Sequence, residues 1–62
     1  MKQHPDRDTA ERYAENKWNR LGVTVHVVSE RHEAGGLEWF TCSDEEMETT
    51  MYGAEIYCSY EF

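Results

Sequence analysis

Carboxylates are the chemically active groups this chain has in quantity, and they are bunched. After Arg31 no lysine or arginine occurs, while Glu33, Glu38, Asp44, Glu45, Glu46, Glu48, Glu55 and Glu61 follow. Before that point Lys2, Arg7, Arg12, Lys17, Arg20 and Arg31 offset Asp6, Asp8, Glu11, Glu15 and Glu30, so the net charge of −7 resides in the second half. Paired carboxylates do general acid–base work only where a pocket drives their pKa values apart. A short chain with a half-open sheet offers little such burial, and a solvated acidic face is the better expectation. The run Asp44-Glu45-Glu46-Met47-Glu48 lacks the alternating oxygen ligands and the turn glycine of a calcium loop.

The remaining reactive types give weaker signals. Ser29, Ser43 and Ser59 show no histidine and acid at a spacing that makes a nucleophile. His26 and His32 fall six apart on an expected strand, pointing the same way but about 20 Å from one another. Cys42 and Cys58 are too few for a disulfide framework and have no C-x-x-C spacing, and a zinc site recruiting His4, His26 or His32 would need irregular distances. Gly35 and Gly36 suit a hairpin turn rather than a phosphate cradle. No catalytic residue, metal site or cofactor is expected, and the chain is not read as an enzyme.

The elements that must carry these groups are legible from periodicity. Ala10, Tyr13, Ala14, Trp18 and Leu21 fall at helical spacing and predict an amphipathic helix over 8–21. Asp8 and Glu11 match a capping box, Asp8 and Arg12 an i,i+4 pair, and Gly22 a left-handed stop, although Pro5 also suits a helix start. Alternating β-branched residues over 23–32 and the run 37–43 read as a hairpin around Glu33-Ala34-Gly35-Gly36. With those four residues as the loop, Arg31 faces Glu38 and Val27 faces Cys42. Val25, Val27, Phe40 and Cys42 then share one side, and His26, Val28, Glu30, Leu37 and Trp39 the other. A loop shorter by one residue would swap the faces of the second strand and bury Trp39.

Ser43 to Glu46 offers another capping box, with Met47 and Met51 four apart and Gly53 beyond, so 44–51 reads as a short acidic helix or an irregular acidic loop. Residues 54–62 alternate as a third strand. If it pairs with the second strand about position 50, Cys42 lies opposite Cys58 and a disulfide becomes feasible under oxidation. The fold class is therefore α+β: one domain over 1–62, a helix packed on a three-stranded antiparallel sheet in the order α-β-β-β. Tyr13, Trp18 and Leu21 are expected to meet Val25, Val27, Phe40, Ile56, Tyr60 and Phe62, with the opposite sheet face in water.

With 62 residues, only a thin core is available, and mutual repulsion among the late acids lowers stability further. No apolar run reaches the ~20 residues needed to span a bilayer and the amino terminus is unlike a secretion signal, so a cytoplasmic location is expected. The charge argues against direct contact with nucleic acid or anionic lipid. It favours a basic partner. Carboxylates two apart on a strand repeat at about 6.8 Å, near the spacing of phosphates along one DNA strand, so an acidic face can imitate nucleic acid. Trp39 and Tyr57, placed on the open face beside Glu30, Glu55 and Glu61, would add aromatic anchors. The candidate partner-binding set is Glu30, Glu33, Glu38, Trp39, Asp44, Glu45, Glu46, Glu48, Glu55, Tyr57 and Glu61.

In size, charge and α-β-β-β pattern the whole chain resembles the small acidic phage-type anti-CRISPR proteins that act on type I systems. That resemblance implies a non-enzymatic inhibitor in a bacterial host cell, binding a Cas subunit of a Cascade complex where target DNA enters. A monomer is expected. The alternative is a small regulatory or antitoxin-like interaction protein that uses its sheet edge or self-association. Salt separates the two, because charge imitation weakens steeply with ionic strength and strand addition does not.

Overall fold

A computed structural model describes residues 1–61. Its elements run β1 (Lys2–His4), α1 (Arg7–Leu21), β2 (Val25–Arg31), β3 (Leu37–Cys42), α2 (Asp44–Glu48) and β4 (Glu55–Tyr60). The fold is α+β, but the antiparallel sheet has four strands in the order β1-β3-β2-β4, and a strand precedes the long helix.

That order dictates the rest of the architecture. β1 and β2 flank β3 and run parallel, as do β3 and β4 on either side of β2. Parallel strands cannot be joined by a tight turn, so α1 and the 43–54 segment must each cross a face of the sheet. Both crossovers step two positions in the same direction, but they start from strands that run oppositely. Crossovers of one hand must then lie on opposite faces. Accordingly Ala10 and Ala14 of α1 pack with Val25 and Val27, while Met47, Met51 and Ala54 cover Val28, Phe40 and Cys42 on the other side. The expected wet face is covered.

The helix cap lies two residues before the acid that the sequence suggests. Asp6, extended at φ −156°, caps α1 by accepting a 2.8 Å hydrogen bond from the Thr9 amide, and this bond lowers the Asp6 pKa. Asp8 instead lies in the first turn, 3.8 Å from Arg7. Gly22 (φ 66°) closes the helix, its amide donating to the Trp18 carbonyl at 2.9 Å. The fully buried residues are the small Ala10 and Ala14, which let the helix approach the sheet closely. Trp18 packs at 6.1 Å on Tyr60, whereas Leu21 is exposed.

The hairpin differs from expectation by one residue. His32 donates to the Gly36 carbonyl, Gly35 donates to that of His32, and Gly35 takes φ 93°. This is a three-residue loop with a left-handed residue at its end. Arg31 therefore faces Leu37, and Val27 faces Thr41. The slip swaps the faces of β3: Phe40 and Cys42 turn to α2, and Trp39 and Leu37 to the side of α1. Trp39 is half-buried against the α1 cluster, not on an open face.

β4 pairs with β2, so Cys58 faces Val27 and Cys42 faces His26. The two thiols occupy opposite faces and are free, which removes the disulfide. Burial, helped by Glu46, pushes the Cys42 thiol up to about 11. A register shift between Val27 and Val28 leaves Tyr57 as the extra residue of β4. It meets Trp39 edge to face at 5.5 Å and lies under Arg7. Ile56 is 48% exposed rather than core. The expected core position of Phe62 lies outside the described residues.

β1 pairs with β3 and is further anchored by a buried side chain. His4 is buried, its Nε2 2.9 Å from Thr41 Oγ1 and its ring 5.0 Å from that of Tyr13. Burial first, and Lys2 second, lower its pKa below 6.5. The native state then binds fewer protons than the unfolded chain, so the stability present above 6.5 is lost as pH falls through the depressed folded value. Urea titrations at about pH 7 and about pH 5 should show wild type losing more stability on acidification than His4→Gln. Truncating Met51, 2% exposed, to alanine should cost about 2–4 kcal/mol in the same assay; a loss below about 0.5 kcal/mol would mean the second face is not packed.

Candidate functional site

The crossover geometry that covers both faces also sorts the bases, while Asp8, Glu11, Glu15 and Glu55 stay on the side of α1. Arg7, Arg12, Lys17 and Arg20 belong to α1, and Lys2 and Arg31 occupy strand positions on the same side as Val27. The other layer is built from α2 and from the strand positions that share a side with Val28. It contains Glu30, Glu38, Asp44, Glu45, Glu46, Glu48 and Glu61, and none of the chain's lysines or arginines.

Each acid has a structural origin. α2 is set by the expected capping box: the Glu46 amide donates to Ser43 Oγ at 3.3 Å, and the Ser43 amide donates to Glu46 Oε1 at 3.1 Å. Asp44, Glu45 and Glu46 fall in its first turn, where the helix dipole favours negative charge. Met47 faces the sheet, which leaves Glu45 and Glu48 exposed. Glu46 is occupied twice, because the Met1 amino group also pairs with it. That contact and the Ser43 amide hold its carboxyl below the usual range.

At the hairpin end Glu30 lies directly opposite Glu38, an arrangement that costs stability. His32 Nε2, 2.6 Å from Glu38, provides local relief. At the other end His26, 6% exposed, hydrogen-bonds Ser59 Oγ through Nδ1 at 2.7 Å and meets Asp44 through Nε2. Glu61 joins them, with one ligand atom from each of His26, Asp44 and Glu61 within 4.8 Å of the others.

Of the residues singled out from sequence, the structure thus gathers Glu30, Glu38, Asp44, Glu45, Glu46, Glu48 and Glu61. Glu33 sits at the hairpin tip. Glu55 pairs with Ser29 on the α1 side, where Trp39 and Tyr57 also lie, so the two aromatic rings and Glu55 are separated from the acidic layer. Sequence reasoning missed the Ser59–His26–Asp44 row, whose members lie up to 33 positions apart. Its only sequence signal was the alternation that puts His26 and Ser59 on strands, and the β2–β4 pairing was needed to join them.

Elsewhere, a cleft of about 330 Å3 lies between the C-terminal half of α1 and the β1 edge, lined by Lys2, Tyr13, Lys17, Leu21, Val25 and Glu46 among others. Lys2 sits over the Tyr13 ring at 4.7 Å. Among the described residues no helix is long and apolar enough to cross a membrane. No protein-family model matches the chain, and no curated protein or solved structure matches it.

Because the Ser43–Glu46 box fixes α2, replacing Ser43 by alanine should lower stability by about 1 kcal/mol in urea unfolding. An unchanged midpoint would show that α2 is held by the packing of Met47 alone.

Proposed function

We propose that this protein is a non-enzymatic binding protein whose acidic layer engages a basic, nucleic-acid-binding surface of another protein. One observation carries the reading: the lysines and arginines are confined to the α1 side, leaving Glu30, Glu38, Asp44, Glu45, Glu48 and Glu61 on a layer without them. An acidic protein with randomly placed charges would be merely soluble. Segregation gives the molecule a strongly anionic side that steers a cationic partner into one orientation. The opposed Glu30 and Glu38 support the same reading, since they sacrifice stability for local charge density.

The partner class is a protein that ordinarily holds DNA or RNA phosphates with lysine and arginine. Within that class, the resemblance to anti-CRISPR proteins points to a Cas subunit of a type I Cascade complex, with the acidic layer where target DNA enters. Trp39 and Tyr57 are not part of this contact, being on the other side. A second reading rests on β4, an outer strand with exposed Ile56 and Tyr57, which offers an edge for strand addition by a partner or a second copy.

Competition with a labelled target duplex for purified Cascade, at low and high salt, separates the readings. Charge imitation predicts inhibition that weakens at least about tenfold as salt rises. Glu45→Lys together with Glu48→Lys should abolish it and leave the circular dichroism spectrum unchanged, because both side chains are exposed and outside the capping box. Inhibition indifferent to salt and to this double reversal would refute the acidic contact.

A further inference from the structure

We infer that His26, Asp44 and Glu61 form a binding site for a divalent transition-metal ion of the zinc class. This goes beyond the proposed function and does not depend on it.

The three residues come from the start of β2, the first position of α2 and the position after β4. One donor atom from each lies within 4.8 Å of the others. Ligands about 2.0–2.2 Å from a tetrahedral ion stand roughly 3.3–3.6 Å apart, so the set closes on an ion when Asp44 withdraws from its direct contact with Nε2 and the exposed carboxylates rotate inward. The imidazole is already fixed. It is 6% exposed, and Ser59 Oγ holds its Nδ1 at 2.7 Å.

That hydrogen bond is the arrangement metal-binding histidines use, one ring nitrogen on the ion and the other on an outer partner that sets the tautomer. A hydroxyl can serve either tautomer. In the metal-free protein Nε2–H can donate to Asp44 while Ser59 donates to Nδ1. With an ion on Nε2, the ring proton sits on Nδ1 and Ser59 accepts it.

Charge favours the same conclusion. Asp44 and Glu61 bring two negative charges to one imidazole on a layer without lysine or arginine, and a divalent ion neutralises both. The donor set, one nitrogen and two carboxylate oxygens, suits zinc, cobalt or nickel better than calcium or magnesium, which take oxygen ligands alone. Both carboxylates are exposed, so water completes the coordination. A bound ion would tie the segment after β4 to α2 and β2.

The test is calorimetric titration of the intact chain with Zn2+ near neutral pH, with NMR of the histidine ring nitrogens in parallel. The expected result is one saturable site per chain, a displaced His26 Nε2 resonance, and affinity reduced at least about tenfold by Asp44→Asn and by Glu61→Gln. Glu61 follows β4 and is exposed, outside α2, so its variant keeps the test valid should Asp44→Asn disturb that helix. Glu45→Gln with Glu48→Gln should stay within about twofold of wild type, as neither residue is a ligand. The inference is overturned by absence of saturable binding, by an unmoved His26 resonance, by Glu61→Gln binding as wild type, or by equal loss in the Glu45/Glu48 variant.

Discussion

The structure depends on burying one strand from both sides. Val27 and Val28 are consecutive in β2, point to opposite faces, and are each fully buried. Neither face can be left to water, because each of these side chains contributes about 1.5–2 kcal/mol only when covered. The strand order supplies the cover. With β2 between β3 and β4, and β3 between β1 and β2, both helical segments must cross the sheet, and they do so on opposite sides. A chain of this size gains two thin core layers where a single helix would have given one.

The same constraint gives the molecule its electrical polarity. Each crossover brings its own charge to the face it covers: α1 carries Arg7, Arg12, Lys17 and Arg20 nearly balanced by Asp8, Glu11 and Glu15, and α2 is almost wholly acidic. Strand alternation then adds Lys2 and Arg31 to one side and Glu30 and Glu38 to the other. Polarity is therefore a result of topology, and β2 is the divider. Within the acidic layer the groups differ in availability. Glu46 is engaged by Ser43 and the Met1 amino group, Glu38 by His32, and Asp44 by His26. Glu45 and Glu48 remain as exposed charges on a helix pinned by its cap and by Met47.

Much of this was legible in the residues and some was not, for identifiable reasons. The Ala10–Ala14 stripe, Gly22 and the Ser43–Glu46 box are local signals, read within a few positions, and both helices form there, but α2 ends at Glu48 rather than at 51, where Thr49 and Thr50 are poor helix formers. Asp6 displaced Asp8 as the cap because both acids satisfy the chemistry and only the backbone entry after Pro5 decides between them. β1 is three residues long and shows no alternation; it is placed by pairing with β3 and by His4 meeting Thr41 and Tyr13, contacts distant in sequence. The hairpin register turned on whether Gly36 belongs to the loop, and that one-residue difference moved Trp39 and Phe40 to the wrong faces. The partner of β4 was not readable at all. Its alternation is equally compatible with β3 or β2, and the choice is made by β1 occupying the other edge of β3. Of the candidate site, the α2 acids and the Glu30–Glu38 pair share a layer as charge patterning suggested, while Glu55, Trp39 and Tyr57 follow the swapped strand faces and the bulge.

Charge segregation is the claim on which the functional account stands, and it is measurable without any partner. Paramagnetic relaxation of amide protons by a cationic and by an anionic soluble nitroxide reports the electrostatic potential near each residue. The account predicts that the cationic probe relaxes Glu30, Glu38, Glu45, Glu48 and Glu61 far more strongly than the anionic one, with the preference weak or reversed around Arg12, Arg20 and Arg31. A ratio uniform over the molecule would contradict it.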